Sequence, residues 1–231
     1  MTQQIRAKAS LIHHLTQSVQ RTHLRLRAIL IRYYPGALGL FGSLTGQVTL
    51  HFLRQYPTPQ AMSQLSYAQF SEFAREHSYQ RRWWPKQYAR MQQAYPAASD
   101  DTVQVYQEEM RLLAQQLLDL VQTRLAQKRA LTQLFGQHPD QEIFASLPGA
   151  GALLAPALLA KFGDDRQRFP DPRSVQALAG TCPVTAASGK RRVVKFRQAC
   201  DKEFRHIAQQ WARASLGKSV WANAYWEQVQ T

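Results

Sequence analysis

The chain has 231 residues, of which 45% are hydrophobic and 19% are charged, and its formal net charge is +14. That length predicts one or two domains with a well-filled core. The sequence has no apolar run of about eighteen residues that could span a membrane, and the start "MTQQIRAKASLIHHL" lacks the continuous apolar segment of a secretory signal, so we expect a cytoplasmic protein.

The charge is spread unevenly along the chain. Residues 1–98 hold 12 Lys and Arg against 2 acids, residues 99–140 hold 4 against 6, and residues 141–231 hold 13 against 7. Two basic segments therefore flank a slightly acidic one. Such a distribution predicts a polyanionic partner, most often a nucleic acid, although a basic protein without such a partner would share the composition.

The first 98 residues are predicted to form a basic helical region. Ile12 and Val19 belong to an apolar stripe with helical spacing, and "YYPGALGLFG" ends this helix at Pro35. A second helix is predicted over about 46–54, before the two prolines of "YPTP". A third helix, in "LSYAQFSEFAREHS", has Ser66 as its candidate N-cap.

The segment "RRWWPK", from Arg81 to Lys86, mixes cations with indole rings. Two interpretations of Trp83 and Trp84 stay open. They anchor the core or an interface, which is the commoner use of tryptophan, or they form a platform on which nucleic-acid bases stack beside cations.

One long helix is predicted from about 102 to 135. Met110, Leu113, Leu117 and Leu120 recur with a spacing that forms a continuous apolar seam. Such a seam is typical of a coiled-coil arm and equally of an intramolecular helix hairpin. "GQHPDQ" ends the helix, so residues 99–140 are predicted to form a separate helical arm.

The stretch "SLPGAGALLAPALLAKFGD" places two glycines directly before an apolar helix that is predicted to reach about Phe162. Gly149 and Gly151 permit a tight turn with positive φ and let a phosphate approach the backbone. The N–H groups that begin the next helix would point at that anion. The pattern resembles a helix-hairpin-helix motif, with "RFPDPRSVQALAG" as its supporting helix, and predicts contact with the DNA backbone.

The next stretch, "PVTAASGKRRVVKFR", predicts a short β-hairpin near residues 184–197, with Ser188 and Gly189 at its turn. A serine beside cations is suited to attack a phosphodiester, although Ser-Gly is also a common turn pair. A helix follows, with Asp201 as its candidate N-cap. The candidate DNA-binding cations of the hairpin are Lys190, Arg191, Arg192, Lys195 and Arg197.

Together with "FRHIAQQWARAS" and "WANAYW", these stretches resemble the C-terminal half of transposases of the insertion-sequence 110 family, also designated 116 and 902. "HLRLRAILIRYYPG" and "FLRQYPTPQAMSQL" resemble the linker region of that family. The resemblance implies that Ser188 is a nucleophile that joins covalently to DNA. It also carries Arg205 over as a DNA-binding residue, although "DKEFRH" has Asp201 where the family usually has asparagine, and Phe204 precedes the arginine.

The resemblance further implies a composite site. In that family an N-terminal ribonuclease-H-like domain binds Mg²⁺ through a DEDD set of carboxylates and acts across subunits with the serine half, guided by a structured RNA from the element. We expect this chain to lack that domain, since Glu72 and Glu76 are the acids of its first 98 residues and suit a solvated helix face. Cys182 and Cys200 are too few and too isolated for a metal cluster. No metal ligand is therefore predicted, and we expect no activity from the chain alone.

The sequence thus predicts a mainly helical fold: a helical bundle with a long coiled-coil-like helix and a C-terminal helix-hairpin-helix domain that contains a short β-hairpin. Its predicted parts are a linker region (1–98), a helical arm (99–140) and a serine domain (141–231). The leading prediction for function is a truncated DNA transposase or recombinase. Its expected partners are DNA, an element-encoded guide RNA, and further copies of itself or a full-length transposase. Two alternatives stay open: a non-catalytic DNA-structure-binding protein, and an oligomerising regulator of a full-length transposase.

Overall fold

A computed structural model describes residues 1–96, 98–165, 167–189 and 191–230. The described chain is mainly helical and has one small two-stranded antiparallel sheet, as the sequence predicts. It divides into two units, one made of Met1–Ile12 with Gln127–Thr231 and the other of His13–Ala126. Over the described ranges, no helix is both long enough and apolar enough to cross a membrane.

Two short 3-10 helices, Pro35–Ala37 and Arg81–Trp83, accompany the main elements. The α-helices and strands are, in chain order, α1 (Thr2–Tyr33), α2 (Gln47–Gln55), α3 (Pro59–Ser63), α4 (Tyr67–Glu76), α5 (Trp84–Met91), α6 (Asp100–Gly136), α7 (Gln141–Ala145), α8 (Gly151–Phe162), α9 (Pro172–Ala179), β1 (Val184–Ser188), β2 (Arg191–Lys195), α10 (Lys202–Ser215) and α11 (Val220–Gln230).

Local signals in the sequence set several helix ends. α1 ends at Tyr33, just before Pro35, because a proline ring cannot continue the helical hydrogen bonding. Ser66 caps α4: its hydroxyl accepts a hydrogen bond from the Gln69 N–H at 3.3 Å, and the Gln69 side-chain oxygen accepts one from the Ser66 N–H at 3.0 Å. The structure confirms both of these predicted ends.

The core of the unit His13–Ala126 is rich in aromatic rings. Phe52 on α2 and Phe70 and Phe73 on α4 are buried. The rings of Phe52 and Phe73 meet edge to face with their centroids 5.5 Å apart, and Phe41 meets Phe52 in the same way at 5.1 Å. Such pairs add about 0.5–1.5 kcal/mol to the stabilisation from burial. These contacts hold α2 and α4 together.

The apolar seam of α6 is buried within this same unit. Met110, Leu113 and Leu117 belong to one buried cluster with Leu26 and Leu30 of α1. Packing against α1 within the same chain therefore accounts for the seam. Intramolecular packing is one of the two structures that the sequence allows. A coiled coil with another chain remains a prediction.

The unit of Met1–Ile12 and Gln127–Thr231 has a core of its own. In this core α8 packs on α7 and on α10, and α10 packs on α9. Leu158 and Leu159 of α8 and Phe204 of α10 are almost completely buried. The sequence of α8 is apolar on nearly every face, and the helix packs against neighbours on several sides, as expected for a central helix.

Asp201 joins the start of α10 to the end of α8. Its carboxylate accepts a hydrogen bond from the Phe204 N–H at 2.9 Å, which confirms the predicted N-cap. The Lys161 ammonium donates to Asp201 Oδ2 at 2.9 Å and to Glu203 Oε2 at 2.8 Å. Burial tends to raise the pKa of Asp201, but the hydrogen bonds from Phe204 and Lys161 outweigh it and lower the pKa.

Asp201→Ala is expected to lower the free energy of unfolding by about 1–2 kcal/mol, because it removes the N-cap and a partner of Lys161. The pKa of Asp201 is lower in the folded chain than in the unfolded chain. The stabilisation by the Asp201 carboxylate is therefore present above the pKa of the unfolded chain, about 3.9. It is lost as the pH falls through the lower pKa of the folded chain.

Urea denaturation of both proteins at neutral pH and at about pH 3 measures this effect. Asp201→Asn is the matched control, because asparagine keeps a capping oxygen without the charge. A stability difference between wild type and Asp201→Ala that is the same at both pH values would contradict the assigned role.

Candidate nucleic-acid interface

Ser188 lies at the tip of the β-hairpin, in the unit that contains α8 and α10. β1 and β2 pair in antiparallel register, with Ser188 directly opposite Arg191. Gly189 follows with φ +55°, a conformation that glycine adopts without steric cost. Lys190, a predicted DNA-binding residue, lies outside the described residues. The predicted hairpin is confirmed, and its register fixes which cation stands beside the serine.

The register sorts the side chains of the hairpin onto two faces. Residues directly opposite each other share a face, and successive residues of a strand alternate. Ser188, Arg191 and Lys195 therefore share one face, and Arg192 lies on the other. A shallow cavity of about 230 Å³ is lined by Ala186, Ala187, Ser188, Arg191, Val193 and Lys195.

The hairpin is open to solvent. Every residue of β1 is exposed, and β2 differs only in the half-buried Val193. Among the described residues, no side chain hydrogen-bonds to the Ser188 hydroxyl, and no carboxylate forms a salt bridge with Arg191 or Arg192. A hydroxyl and uncompensated cations are thus accessible together to an anionic ligand.

Arg205 lies at the base of the hairpin and is engaged within the unit. Its guanidinium donates hydrogen bonds to the backbone oxygens of Arg197 and Ala179, and it stacks over the Phe196 ring at 4.2 Å. These contacts fasten the segment after β2 to the end of α9. The geometry therefore gives Arg205 a positioning role for the hairpin, and its contact with DNA remains a prediction.

Arg197 is half-buried, unlike the exposed arginines of β2. Its Nε is buried and has no hydrogen-bond partner among the described residues. The four described cations of the hairpin segment therefore do not form one uniform strip. Arg191 and Lys195 share the face of Ser188, Arg192 occupies the other face, and Arg197 lies at the base.

The turn at residues 146–150, between α7 and α8, is held against α10. Gly149 has φ +76°, and a Cβ atom at this position would lie 2.5 Å from the backbone carbonyl of Ala214. The Trp211 indole N–H donates a hydrogen bond to the Pro148 carbonyl oxygen at 3.0 Å. Packing against α10 therefore requires glycine at position 149, and its predicted contact with a phosphate remains a prediction.

The start of α8, in contrast, is open. A Cβ atom added to Gly151, where φ is +56°, would meet no heavy atom within 4 Å. Ala150, at the N-cap position, supplies no side-chain hydrogen bond, and Gly151, Ala152 and Leu153 are exposed. The first N–H groups of a helix lack intrahelical partners and carry the positive end of its dipole. This helix start is thus accessible to an anion.

The donor set of the described residues does not fit a Mg²⁺ site. They contain no group of three or more His, Cys, Asp or Glu residues placed to hold a metal ion. Glu72 and Glu76, the two acids of the first basic segment, are exposed on α4. No chemical step can therefore be assigned to a metal held by this part of the chain.

Trp211 and Lys161 support the site in ways that the sequence does not reveal. Trp211 follows Phe204 and Ile207 at helical spacing, which predicts an inward position but not its bond to Pro148. Lys161 resembles any cation in the last turn of a helix until its two carboxylate partners are known. Both contacts join residues that are distant in the chain.

Comparison with known proteins finds a matching family model and two similar proteins. Residues 141–227 match the model of the transposase IS116/IS110/IS902 family. The chain is 32% identical over 221 residues to a protein of Streptomyces coelicolor named mini-circle putative transposase for IS117, covering 90% of this chain and 52% of that protein. It is 26% identical over 200 residues to an insertion element IS110 uncharacterized 43.6 kDa protein of the same organism, covering 82% of this chain and 48% of that protein. No solved structure matches the chain.

Residues 141–227 therefore correspond to the domain that the transposase IS116/IS110/IS902 family model describes, as the sequence motifs predict. The chain spans about half the length of the curated relatives it matches.

Gly149→Ala is expected to destabilise the chain more than Gly151→Ala. Both substitutions put a side chain at positive φ, which costs about 1 kcal/mol or more. At position 149 the new methyl group also collides with the backbone of α10, so a further loss of about 2 kcal/mol is expected. Gly151→Ala is the matched control, because its Cβ atom would meet open space.

Chemical denaturation of the two variants and the wild type gives this comparison. Equal losses of unfolding free energy in the two variants would contradict the packing of the turn on α10.

Proposed function

We propose that this chain acts in DNA transposition by binding DNA through the unit that contains α8, α10 and the β-hairpin, and by supplying Ser188 as the nucleophile. The observation that carries the proposal is the register of the hairpin, which sets the accessible Ser188 beside Arg191 on one open face. The match of residues 141–227 to a transposase family supports the same process.

The segment from α7 through the turn to α8 would act as a helix-hairpin-helix element. Two packed helices flank a glycine-containing turn, and the uncapped start of α8 is exposed. Backbone N–H groups at such a position bind a phosphate without reading the base sequence. This element would therefore position the chain on DNA, and the hairpin would contact the neighbouring backbone.

At the hairpin, the Ser188 Oγ would attack the phosphorus of a phosphodiester. The new Oγ–P bond would form as the bond from phosphorus to one sugar oxygen breaks, and the departing sugar oxygen would take up a proton. Arg191 and Lys195, on the same face, would stabilise the negative charge that develops on the phosphoryl oxygens. One ester replaces another, so the step needs no oxidant or external energy source.

For this attack, the Ser188 hydroxyl must transfer its proton to a base. Among the described residues, no side chain hydrogen-bonds to that hydroxyl. Serine hydroxyls are weak nucleophiles without such a base. The family resemblance implies a carboxylate-bearing domain, and we propose that this domain completes the site. A guide RNA, a homo-oligomer and the separate arm at 99–140 likewise remain predictions.

The hairpin cations are expected to bind DNA through its phosphates. Arg191→Glu with Arg192→Glu should weaken binding to duplex or branched DNA of every sequence alike. The log–log salt slope of duplex binding should become shallower by about 0.9 for each lost phosphate contact. Arg27→Glu with Arg21→Glu, at two exposed positions of α1 in the other unit, is the control for net charge.

Fluorescence anisotropy with labelled DNA at several salt concentrations measures this. Equal losses in the hairpin variant and the α1 control would show that net charge alone is responsible. A loss confined to one DNA sequence would indicate that these arginines contact bases instead of phosphates.

Ser188→Ala is expected to abolish covalent joining to DNA while leaving DNA affinity nearly unchanged. The isolated chain should not cleave DNA, and adding a polypeptide that carries the carboxylate domain should yield a covalent protein–DNA product. End-labelled DNA on a denaturing gel detects that product. Thr185→Ala is the matched control, because this hydroxyl lies on the hairpin face opposite Ser188.

The adduct should form with Thr185→Ala and be absent with Ser188→Ala. An adduct that persists in Ser188→Ala would refute the assignment of the nucleophile. DNA binding without any adduct in the wild-type mixture would favour a non-catalytic DNA-binding role.

A further inference from the structure

The structure separates the two tryptophans that the sequence places side by side. Trp84 is 8% exposed, belongs to the core of its unit, and donates its indole N–H to the Tyr79 carbonyl oxygen at 3.0 Å. Trp83 is 40% exposed. A core role therefore accounts for Trp84 and leaves the exposed ring of Trp83 unexplained.

Two cations lie over the ring of Trp83. The Arg82 guanidinium carbon is 5.2 Å from the ring centroid, and the Lys86 Nζ is 5.7 Å from it. A third cation, Arg81, lies over the neighbouring Trp84 ring at 6.0 Å. All three cations are exposed, and no described carboxylate forms a salt bridge with any of them. An accessible indole is thus surrounded by uncompensated positive charge.

We propose that Trp83, Arg82 and Lys86 form a binding site for an unpaired nucleotide of a single-stranded nucleic acid. The indole face would stack on the base, and the two cations would move from the ring to the phosphates on either side of that nucleotide. Aromatic stacking beside backbone-binding cations is the physical basis of single-strand recognition.

The combination favours an unpaired strand over a duplex. An exposed ring can stack only on a base whose own face is free, and both faces of a base inside a duplex are already covered by its neighbours. Cation–π contacts at exposed sites are weak, so exchanging them for a base and two phosphates costs little. The local sequence adds little opposing charge, since Glu72 and Glu76 are the only acids in residues 13–98.

This site shares no residue with the hairpin or with the turn before α8, and it lies in the other unit. It therefore goes beyond the proposed function. Loss of single-strand binding and loss of duplex binding can be measured separately in the same variants.

The test uses the full chain and two labelled probes of about twelve nucleotides, oligothymidylate and oligouridylate, with a duplex of the same length. Trp83→Ala should weaken binding to one or both single strands about fivefold or more and leave duplex binding unchanged. Trp83→Phe, which keeps an aromatic face, should restore most of the affinity. The matched control is Trp221→Ala, because Trp221 is a more exposed tryptophan, on α11, that stacks on Tyr225.

A second variant tests the cations. Arg82→Ala with Lys86→Ala should reduce the log–log salt slope of single-strand binding by about 1.4, which corresponds to two lost phosphate contacts. A Trp83-dependent loss with oligothymidylate alone identifies unpaired DNA as the ligand, and a loss with oligouridylate alone identifies RNA. A loss with both identifies a site that accepts either sugar.

Unchanged single-strand binding in Trp83→Ala would overturn the proposal. Equal weakening of duplex and single-strand binding would also overturn it, because a phosphate contact without stacking would then explain the effect. A polyglutamate peptide whose binding depends on Trp83, with oligonucleotide binding unaffected, would overturn it in favour of an acidic protein partner.

Discussion

The close approach between the Gly149 turn and the backbone of α10 is the constraint on which the unit containing α8, α10 and the β-hairpin depends. A single methyl group at Gly149 would lie 2.5 Å from the Ala214 carbonyl, so this contact tolerates no side chain. Trp211 on the same helix holds the turn by its bond to Pro148. At the opposite end of α8, Lys161 is bound to the N-cap Asp201. α8 is therefore fixed to α10 at both of its ends.

α10 also positions the β-hairpin. Arg205, on the first turns of α10, holds the segment after β2 through backbone oxygens and the Phe196 ring. α10 is thus attached to the open start of α8 through one set of contacts and to the hairpin through another. The two elements proposed to contact DNA share a single support, so a change in α10 would disturb both.

The sequence predicts those features whose causes are local. Pro35 ends α1, the Ser66 and Gln69 pair starts α4, and the alternation in "KRRVVKF" forms a strand, because each signal acts within a few residues. The packing of the turn on α10 is beyond such reasoning, since Pro148 and Trp211 are 63 residues apart in the chain. The α6 seam stays ambiguous in the sequence because any apolar partner helix would satisfy the same stripe.

For the candidate site, the sequence places the serine and the cations in one hairpin but not on particular faces. Which residues of the two strands share a face depends on the strand register, and the register is known only when the pairing partner of each residue is known. Arg205 is half-buried and bound to backbone oxygens, and this is a tertiary effect that a charge count cannot distinguish from an exposed arginine. "RRWWPK" shows the same limit: two adjacent indoles look alike until one is found in the core and the other on the surface.

The hairpin register has a consequence for how this segment tolerates changes in length. Because side chains alternate with a period of two residues, a shift of one strand by a single residue would exchange its two faces. Ser188 would then stand opposite Arg192 in place of Arg191, with every amino acid of both strands unchanged. The number of residues in the turn therefore selects the arginine that accompanies the serine, and an insertion or deletion there would change the site more than most substitutions would.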